Sequence, residues 1–145
     1  MEAISEIFLA TDFGEHSQKA EQKAMIMAKK LHVPLSIVYV LNNKVMSPGL
    51  YYEVMDKHPE WLDGMQKEMR KKCRSLISEL YEKLQATGQK YIFEGNPKKK
   101  IVEFTKKYNV ELLVMGKRGG KEGHYIGSVS EYVTEYADCS VLLVP

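Results

Sequence analysis

Cysteine is scarce in this sequence of 145 residues. Only Cys73 and Cys139 are present, far apart and without Cys-x-x-Cys or Cys/His spacing. This pattern argues against a disulfide framework and against a zinc site. We therefore expect two free thiols. The chain has 44% hydrophobic residues and is long enough to bury a core as a single domain spanning residues 1–145.

Long hydrophobic runs and a large net charge are also missing. The apolar run Ile7–Ala10 is too short for a signal peptide or a membrane span, and no basic segment precedes it. The formal charge of +2 is too balanced for a dedicated nucleic-acid-binding protein. We expect a cytoplasmic protein that binds neither membranes nor nucleic acid.

Standard nucleotide and catalytic motifs are absent as well. The sequence contains no Gly-x-x-x-x-Gly-Lys-[Ser/Thr] and no Gly-x-Gly-x-x-Gly. His16, His32 and His58 lack the spacing of metal ligands. No general base and no carboxylate pair for magnesium can be identified. We therefore predict no catalytic residue and no metal ligand.

A glycine-rich, basic segment lies between Val114 and Glu131. It contains five glycines and three cationic residues: Gly116, Gly119, Gly120, Gly123, Gly127, Lys117, Arg118 and Lys121. Ser128 followed by Glu131 is a capping-box pattern, which predicts that Ser128 caps a helix whose N–H groups point back at the loop. Such a loop favours a bound anion. A solvated connection has a similar composition, and both interpretations remain open at this point.

Short apolar runs predict five buried strands. They are Ile7–Ala10, Leu35–Leu41, Tyr91–Phe93, Leu112–Met115 and Val141–Val144.

Amphipathic segments between these runs predict helices. The first carries Ala20, Ala24, Met27, Ala28 and Leu31 on one face and ends before Pro34. A long helix from Pro59 to about Gln85 buries Leu62, Met65, Met69, Leu76, Leu80 and Leu84. Asn96 and Pro97 open a helix with Ile101, Phe104 and Tyr108 facing inward, and Tyr132, Val133 and Tyr136 mark the last one. Residues 42–58 show weak periodicity and are interpreted as a long connection with one helical turn.

Strands that alternate with helices predict an α/β fold, a single doubly wound five-stranded parallel sheet with helices on both faces. In the order 3-2-1-4-5 the first and fourth strands are neighbours at the switch point, where such sheets bind ligands. Asp12 follows the first strand, and the glycine-rich segment follows the fourth. The order would therefore bring the two together.

The sequence resembles the universal stress protein family over essentially the whole chain. The resemblance rests on Ala10-Thr11-Asp12, Glu15-His16-Ser17, Tyr39-Val40, Glu94-Gly95-Asn96-Pro97 and Val114-Met115-Gly116. The nucleotide-binding branch of the family carries Gly-x-x-Gly, nine residues, then Gly-[Ser/Thr]. Gly116, Gly119, Gly127 and Ser128 match it in type, but only seven residues separate Gly119 from Gly127. Gly14 stands where the family often has serine or threonine.

The resemblance implies an adenine-nucleotide site. Asp12 would accept a hydrogen bond from the adenine amino group, and the backbone of Val40 would meet the base. The other implied residues surround the ribose and phosphates: Gly116, Gly119, Gly127, Ser128, Val129 and Ser130. From the charge of the glycine-rich segment itself, we add Lys117 and Arg118 as cations that would reach the phosphates. The alternative for Asp12 is a helix cap.

Three functions remain open. The first is a stress-response module that binds ATP or AMP, with magnesium accompanying ATP, and acts as a dimeric regulatory protein. The second is a slow ATP hydrolase. The third is a dimeric interaction protein that no longer binds nucleotide, which the shortened loop favours. Val141–Val144 would form an apolar edge strand in the predicted sheet, and family members commonly dimerise through it, so we expect a homodimer.

Overall fold

The computed structural model of the chain describes residues 3–42, 48–118 and 126–145. Five parallel strands form one sheet in the order β3-β2-β1-β4-β5. The strands are β1 Ile7–Ala10, β2 Leu35–Leu41, β3 Lys90–Glu94, β4 Leu112–Gly116 and β5 Ser140–Val144. The predicted fold class and strand order are confirmed.

Within the described residues, five α-helices and one 3₁₀ turn connect the strands. A turn at Glu15–Ser17 leads into α1, and the helices are α1 Gln18–Leu31, α2 Pro48–Lys57, α3 Pro59–Lys83, α4 Pro97–Lys107 and α5 Ser128–Tyr136. The start of α4 follows the predicted capping signal, because the Asn96 side chain accepts a hydrogen bond from the Lys99 N–H and Pro97 occupies the first helical position.

The core has two halves, one on each face of the sheet. One half includes Ala20 and Ala24 of α1 with Ile77 of α3, and the other includes Phe104 of α4 with Val133 of α5. β1 and β4 are buried along their whole length, as expected for central strands covered on both sides. Helices therefore cover both faces, as predicted.

The prediction for residues 42–58 was wrong in part, because residues 48–57 form the ten-residue helix α2. This helix packs mainly against α3 and leaves Tyr52 and Met55 exposed. A helix that does not cover the sheet needs no continuous apolar stripe, so its periodicity in the sequence is weak.

The predicted buried face of α3 was correct only near its C-terminal end. Leu80 and Leu84 are buried as predicted, whereas Met65 is 42% exposed and Leu62, Met69 and Leu76 are half-buried. Cys73 and Ile77 are buried although they were not predicted to be. A helix of 25 residues is about 37 Å long, roughly twice the length of a five-residue strand, so its first half extends past the sheet. Three residues at or next to the C-terminal ends of their helices, Leu31, Tyr108 and Tyr136, are also exposed although an inward position was predicted.

Candidate nucleotide-binding site

A cavity of about 400 Å³ opens at the carboxyl ends of β1, β2 and β4. This is the switch point of the sheet, where β1 and β4 are neighbours whose chain connections leave in opposite directions. The turn after β1 and the first residues of α4 and α5 complete the lining. The volume lies within the range of pockets that hold small ligands.

Eight of the ten predicted site residues line this cavity. They are Asp12, Val40, Gly116, Arg118, Gly127, Ser128, Val129 and Ser130. Lys117 is not part of the lining, but its backbone forms hydrogen bonds with Val144 and Gly127 next to the cavity. Gly119 lies outside the described residues, as do Lys121 and the other residues from 120 to 125.

Asp12 is held by a tight turn directly after β1. Its Oδ1 accepts hydrogen bonds from the Gly14 N–H at 2.7 Å and from the Ser17 hydroxyl at 2.6 Å. A Cβ atom on Gly14 would lie 2.9 Å from this oxygen, so glycine lets the carboxylate fold back over the turn. Both bonds use Oδ1. Asp12 thus organises the start of the first helical turn and also contributes to the cavity.

The backbone of Val40 faces the cavity because β2 is longer than β1. The Thr11 N–H donates to the Val38 carbonyl oxygen at 3.2 Å, so the polar backbone groups of Val38 point toward β1. Backbone groups along a strand alternate in direction, and those of Val40 therefore point the same way. The β1 ladder ends at the pair Ala10 and Val38. Past this pair, an N–H and a carbonyl of Val40 are directed at the cavity.

Behind the Asp12 turn lies a buried carboxylate that was not predicted from the sequence. Glu21 of α1 is 5% exposed, and its Oε2 accepts a hydrogen bond from the Thr11 hydroxyl at 2.8 Å. Burial raises the pKa of Glu21, although the Thr11 bond and the charge of Lys83 oppose this effect. The nearby Asp12 charge raises the pKa further.

Tyr39 forms part of the wall at the end of β2. Its ring lies 4.5 Å from that of Phe13, measured between centroids. Burial, together with the neighbouring Cys73 thiol and the Asp12 carboxylate, raises the pKa of the Tyr39 hydroxyl to about 12. Tyr39 is therefore a neutral wall residue at physiological pH.

Three hydrogen bonds hold the two described ends of the glycine-rich segment in place. The Lys117 N–H donates to the Val144 carbonyl at 2.9 Å, and the Gly127 N–H donates to the Lys117 carbonyl at 2.8 Å. The buried Ser130 hydroxyl donates to the Gly116 carbonyl at 2.6 Å. A Cβ on Gly116 would lie 3.0 Å from the His16 carbonyl oxygen, so this glycine allows the turn before α1 to approach β4.

The capping-box prediction for α5 was wrong. Gly127 is the N-cap residue, since its carbonyl accepts the first helical hydrogen bond from the Glu131 N–H at 2.9 Å. Ser128 is therefore the first helical residue, and its side chain cannot cap this helix. The N–H groups of Ser128, Val129 and Ser130 have no intrahelical acceptor in this position, and all three residues line the cavity.

Arg118 brings positive charge to the cavity wall. Its Nε is buried and has no hydrogen-bond acceptor among residues 3–42, 48–118 and 126–145. A buried charged donor without an acceptor is unfavourable, and an anion in the cavity would supply one. Arg118 and the N-terminus of α5 thus place a guanidinium group and backbone N–H donors on the wall of the cavity.

Eight lining residues were not assigned to the site from the sequence. They are Ala10, Thr11, Ser17, Tyr39, Asn42, Pro97, Ile101 and Met115. Thr11, Tyr39 and Asn42 sit at or next to carboxyl ends of strands, which is the one sequence signal that would have included them. Ile101 appeared only as a core residue, because periodicity does not distinguish a core position from a pocket wall.

Within the described ranges, no group of three or more His, Cys, Asp or Glu side chains is arranged to hold a metal ion. Of the helices in the same ranges, none has the length and apolar character needed to cross a membrane.

The sequence model of the Universal stress protein family matches residues 4–145. Universal stress protein YxiE of Bacillus subtilis is 27% identical over 146 residues, covering 97% of this chain and 99% of YxiE. Universal stress protein MJ0531 of Methanocaldococcus jannaschii is 33% identical over 143 residues, covering 95% of this chain and 80% of that protein.

Solved structures share the same fold at lower identity. Universal stress protein UspA from Lactobacillus plantarum has a TM-score of 0.73 at 23% identity, with 99% of this chain and all of that chain covered. A universal stress protein in complex with cAMP has a TM-score of 0.68 at 20% identity, covering 99% of this chain and 98% of that one. The universal stress protein from Archaeoglobus fulgidus in complex with dAMP has a TM-score of 0.58 at 18% identity, with both chains fully covered. Since the family match spans nearly every residue, this chain belongs to the universal stress protein family.

Proposed function

We propose that this chain is a single-domain regulatory protein that binds an adenine nucleotide, AMP or ATP, in the cavity at the switch point. The observation that carries the proposal is the placement of two kinds of recognition group around one cavity. Asp12 and the Val40 backbone offer the donors and acceptors that suit a base edge. Arg118 and the first turn of α5 offer donors that suit phosphate.

Relatives support an adenine nucleotide over another anion. Two universal stress proteins with this fold were solved in complex with a nucleotide, one with cAMP and the other with dAMP. Both nucleotides contain adenine and one phosphate. In this chain the Asp12 carboxylate would accept a hydrogen bond from the adenine amino group, and the Val40 backbone would form hydrogen bonds with the edge of the adenine ring. Arg118 and the α5 N–H groups would hold the phosphate, and magnesium would enter only with ATP.

The proposed mode of action is regulation by occupancy, in the cytoplasm and as a homodimer. A nucleotide that contacts both the turn after β1 and the start of α5 would stabilise these two segments, and the stabilisation would increase with the occupancy of the site. Because the site offers no identified general base, we do not propose hydrolysis as its main activity. A nucleotide-free interaction protein is the second candidate, favoured by the seven-residue spacing between Gly119 and Gly127.

The proposal is tested by calorimetric titration of AMP into wild type and Asp12→Asn. Asparagine keeps an acceptor oxygen for the Gly14 N–H and the Ser17 hydroxyl. It replaces the other oxygen with an NH₂ group, which cannot accept a hydrogen bond from the adenine amino group. AMP affinity should fall about 10- to 100-fold, the cost of one hydrogen bond to a charged acceptor. IMP carries an acceptor oxygen in place of the adenine amino group, so its affinity should fall less than that of AMP.

Asp56→Ala on the exposed face of α2 is the matched control, because it removes a carboxylate away from the cavity. It should leave AMP affinity unchanged. Absence of saturable AMP, ADP and ATP binding by wild type would favour the interaction-protein candidate instead.

A further inference from the structure

Two consecutive side-chain turns shape the segment after β1. The Thr11 Oγ1 accepts a hydrogen bond from the Phe13 N–H at 3.0 Å, and the Asp12 Oδ1 accepts one from the Gly14 N–H at 2.7 Å. Each is a short polar side chain bonded to the backbone two residues on. Together they set the direction in which the Asp12 carboxylate enters the cavity.

This segment contains a backbone conformation that needs support. Phe13 has φ of 61°, in the left-handed region that non-glycine residues seldom adopt. Its N–H donates to Thr11, and its ring packs against Tyr39 in the cavity wall. Such a conformation persists when surrounding contacts determine it.

Glu21 is positioned to supply that support. Thr11 is 7% exposed, and its hydroxyl donates its single proton to the Glu21 Oε2 at 2.8 Å. Because a hydroxyl has one proton, this donation leaves the oxygen lone pairs to accept the Phe13 N–H. A carboxylate that is 5% exposed is costly to bury, and the Thr11 hydroxyl is the hydrogen-bond partner that the structure gives it.

We propose that Glu21 is a positioning residue for base recognition, acting through Thr11 and Phe13 to orient Asp12. The inference rests on the proposed function, since it assigns Glu21 to the specificity of the same site. Glu21 does not line the cavity and would not touch the nucleotide. Its effect would appear in discrimination between bases that do and do not carry an amino group, rather than in phosphate binding.

The test compares Glu21→Leu with Glu21→Gln by measuring AMP and IMP affinity for each. Leucine removes the acceptor, so the ratio of AMP to IMP affinity should fall about 2- to 10-fold, the range expected for one neutral hydrogen bond. Glutamine keeps an acceptor oxygen for Thr11 and should preserve the wild-type ratio. A purely structural role would weaken both nucleotides equally and leave the ratio unchanged, which would overturn the inference.

A second measurement needs no ligand. Amide hydrogen exchange at Phe13, followed by NMR in the free protein, should accelerate about 2- to 10-fold in Glu21→Leu and stay near wild type in Glu21→Gln. Unchanged exchange at Phe13 in folded Glu21→Leu would also overturn the inference. If wild type binds no adenine nucleotide, the proposed function fails while this measurement still decides whether Glu21 holds the turn.

Thr11→Val breaks the same relay from its other end and serves if Glu21→Leu does not fold. It should reproduce the faster exchange at Phe13 and the lower affinity ratio, whereas Thr11→Ser keeps the hydroxyl and should restore both. Wild-type behaviour in Thr11→Val would contradict the relay.

Discussion

Glu21 shows how one buried side chain links stability to pH. Its pKa is raised above the ordinary value of 4.5, with burial as the main cause. A raised pKa in the folded state means that the favourable contribution of the protonated group is complete below the unfolded pKa and is lost as the pH rises through the folded pKa. At neutral pH the ionised carboxylate therefore reduces the free energy of unfolding.

The first stability prediction follows from that sign. Glu21→Gln removes the ionisation while keeping an acceptor for Thr11, so the variant should gain stability relative to wild type as the pH rises from 4 to 7. The gain should be on the order of 1 kcal/mol for each unit by which the pKa is raised. Urea denaturation of both proteins at several pH values measures it. A difference that does not change with pH would contradict the assigned burial cost.

Gly88 supports a second prediction at the scale of one residue. It follows α3, and a Cβ placed on it would overlap the Ser36 hydroxyl and lie 2.8 Å from the Leu35 carbonyl oxygen. Ser36 is fully buried, so it has little room to move. Gly88→Ala should lower the free energy of unfolding by about 1–3 kcal/mol, the usual cost of overpacking.

Gly64→Ala is the matched control for Gly88→Ala. Gly64 lies inside α3, and nothing within 4 Å would contact its Cβ. The same chemical change should therefore stabilise the protein by about 0.5–1 kcal/mol, through helix propensity. Chemical denaturation should show changes of opposite sign in the free energy of unfolding of the two variants. A gain in stability in both would mean that Gly88 is not constrained by β2.

At the scale of elements, we expect the length of the segment between β4 and α5 to affect which nucleotide binds. Its ends are clamped by the bonds of Lys117, Gly127 and Ser130, while the spacing from Gly119 to Gly127 is two residues shorter than in the nucleotide-binding branch. With both ends held and fewer residues between them, we expect this segment to leave less room for the outer phosphates of ATP.

We therefore expect AMP and ADP to bind at least as tightly as ATP. Titration of the three nucleotides measures the order, and an insertion of two glycines between Gly120 and Lys121 is the comparison. The insertion restores the nine-residue spacing and should raise ATP affinity relative to AMP. Wild-type protein that binds ATP more than tenfold tighter than AMP would show that the short segment already accommodates a triphosphate.

The α3 helix illustrates a different consequence of element length. Its C-terminal half covers β2 and β3, and the exposed Arg70 guanidinium pairs with the Glu94 carboxylate at the end of β3. The hydrogen bond from Arg70 lowers the pKa of Glu94. Beyond this ion pair the helix leaves the sheet, and Trp61 and Met65 are exposed. Amphipathic periodicity continues along the helix, but burial ends with the sheet.

At the scale of the whole molecule, β5 is the edge where a second copy would pair. The Lys117 N–H donates to the Val144 carbonyl and the Ser140 N–H to the Glu111 carbonyl, so even-numbered residues of β5 point toward β4. By alternation, the backbone groups of Val141 and Leu143 point away from the sheet. An open edge of this kind can add a strand from another chain.

We expect a homodimer with the two β5 strands antiparallel across a two-fold axis. Val141→Pro removes an outward N–H without breaking the ladder to β4, and it should shift the protein toward monomer. Val141→Ala loses similar packing but keeps the N–H, so it should remain dimeric. Light scattering across the micromolar range distinguishes them, and a monomeric wild type would exclude this assembly.

The amino-acid sequence alone determined the layout of this protein. The five strands, their parallel order and the Asn96 cap were predicted correctly, because strand burial and helix starts leave local patterns of apolar and polar residues. Asp12 and the glycine-rich segment were brought together by the same logic, through the switch point of the sheet.

Only the tertiary structure decided which side chains support the site. Glu21 is a charged residue at the edge of the apolar stripe of α1, three residues before Ala24 and seven before Ala28, and packing buries it against Thr11. Ser130 was predicted to lie around the ribose and phosphates, and the structure shows that its hydroxyl donates to the Gly116 carbonyl. Periodicity records which face of an element turns inward. The partner of an inward polar group depends on distances between elements that are remote in sequence, so it is set by packing.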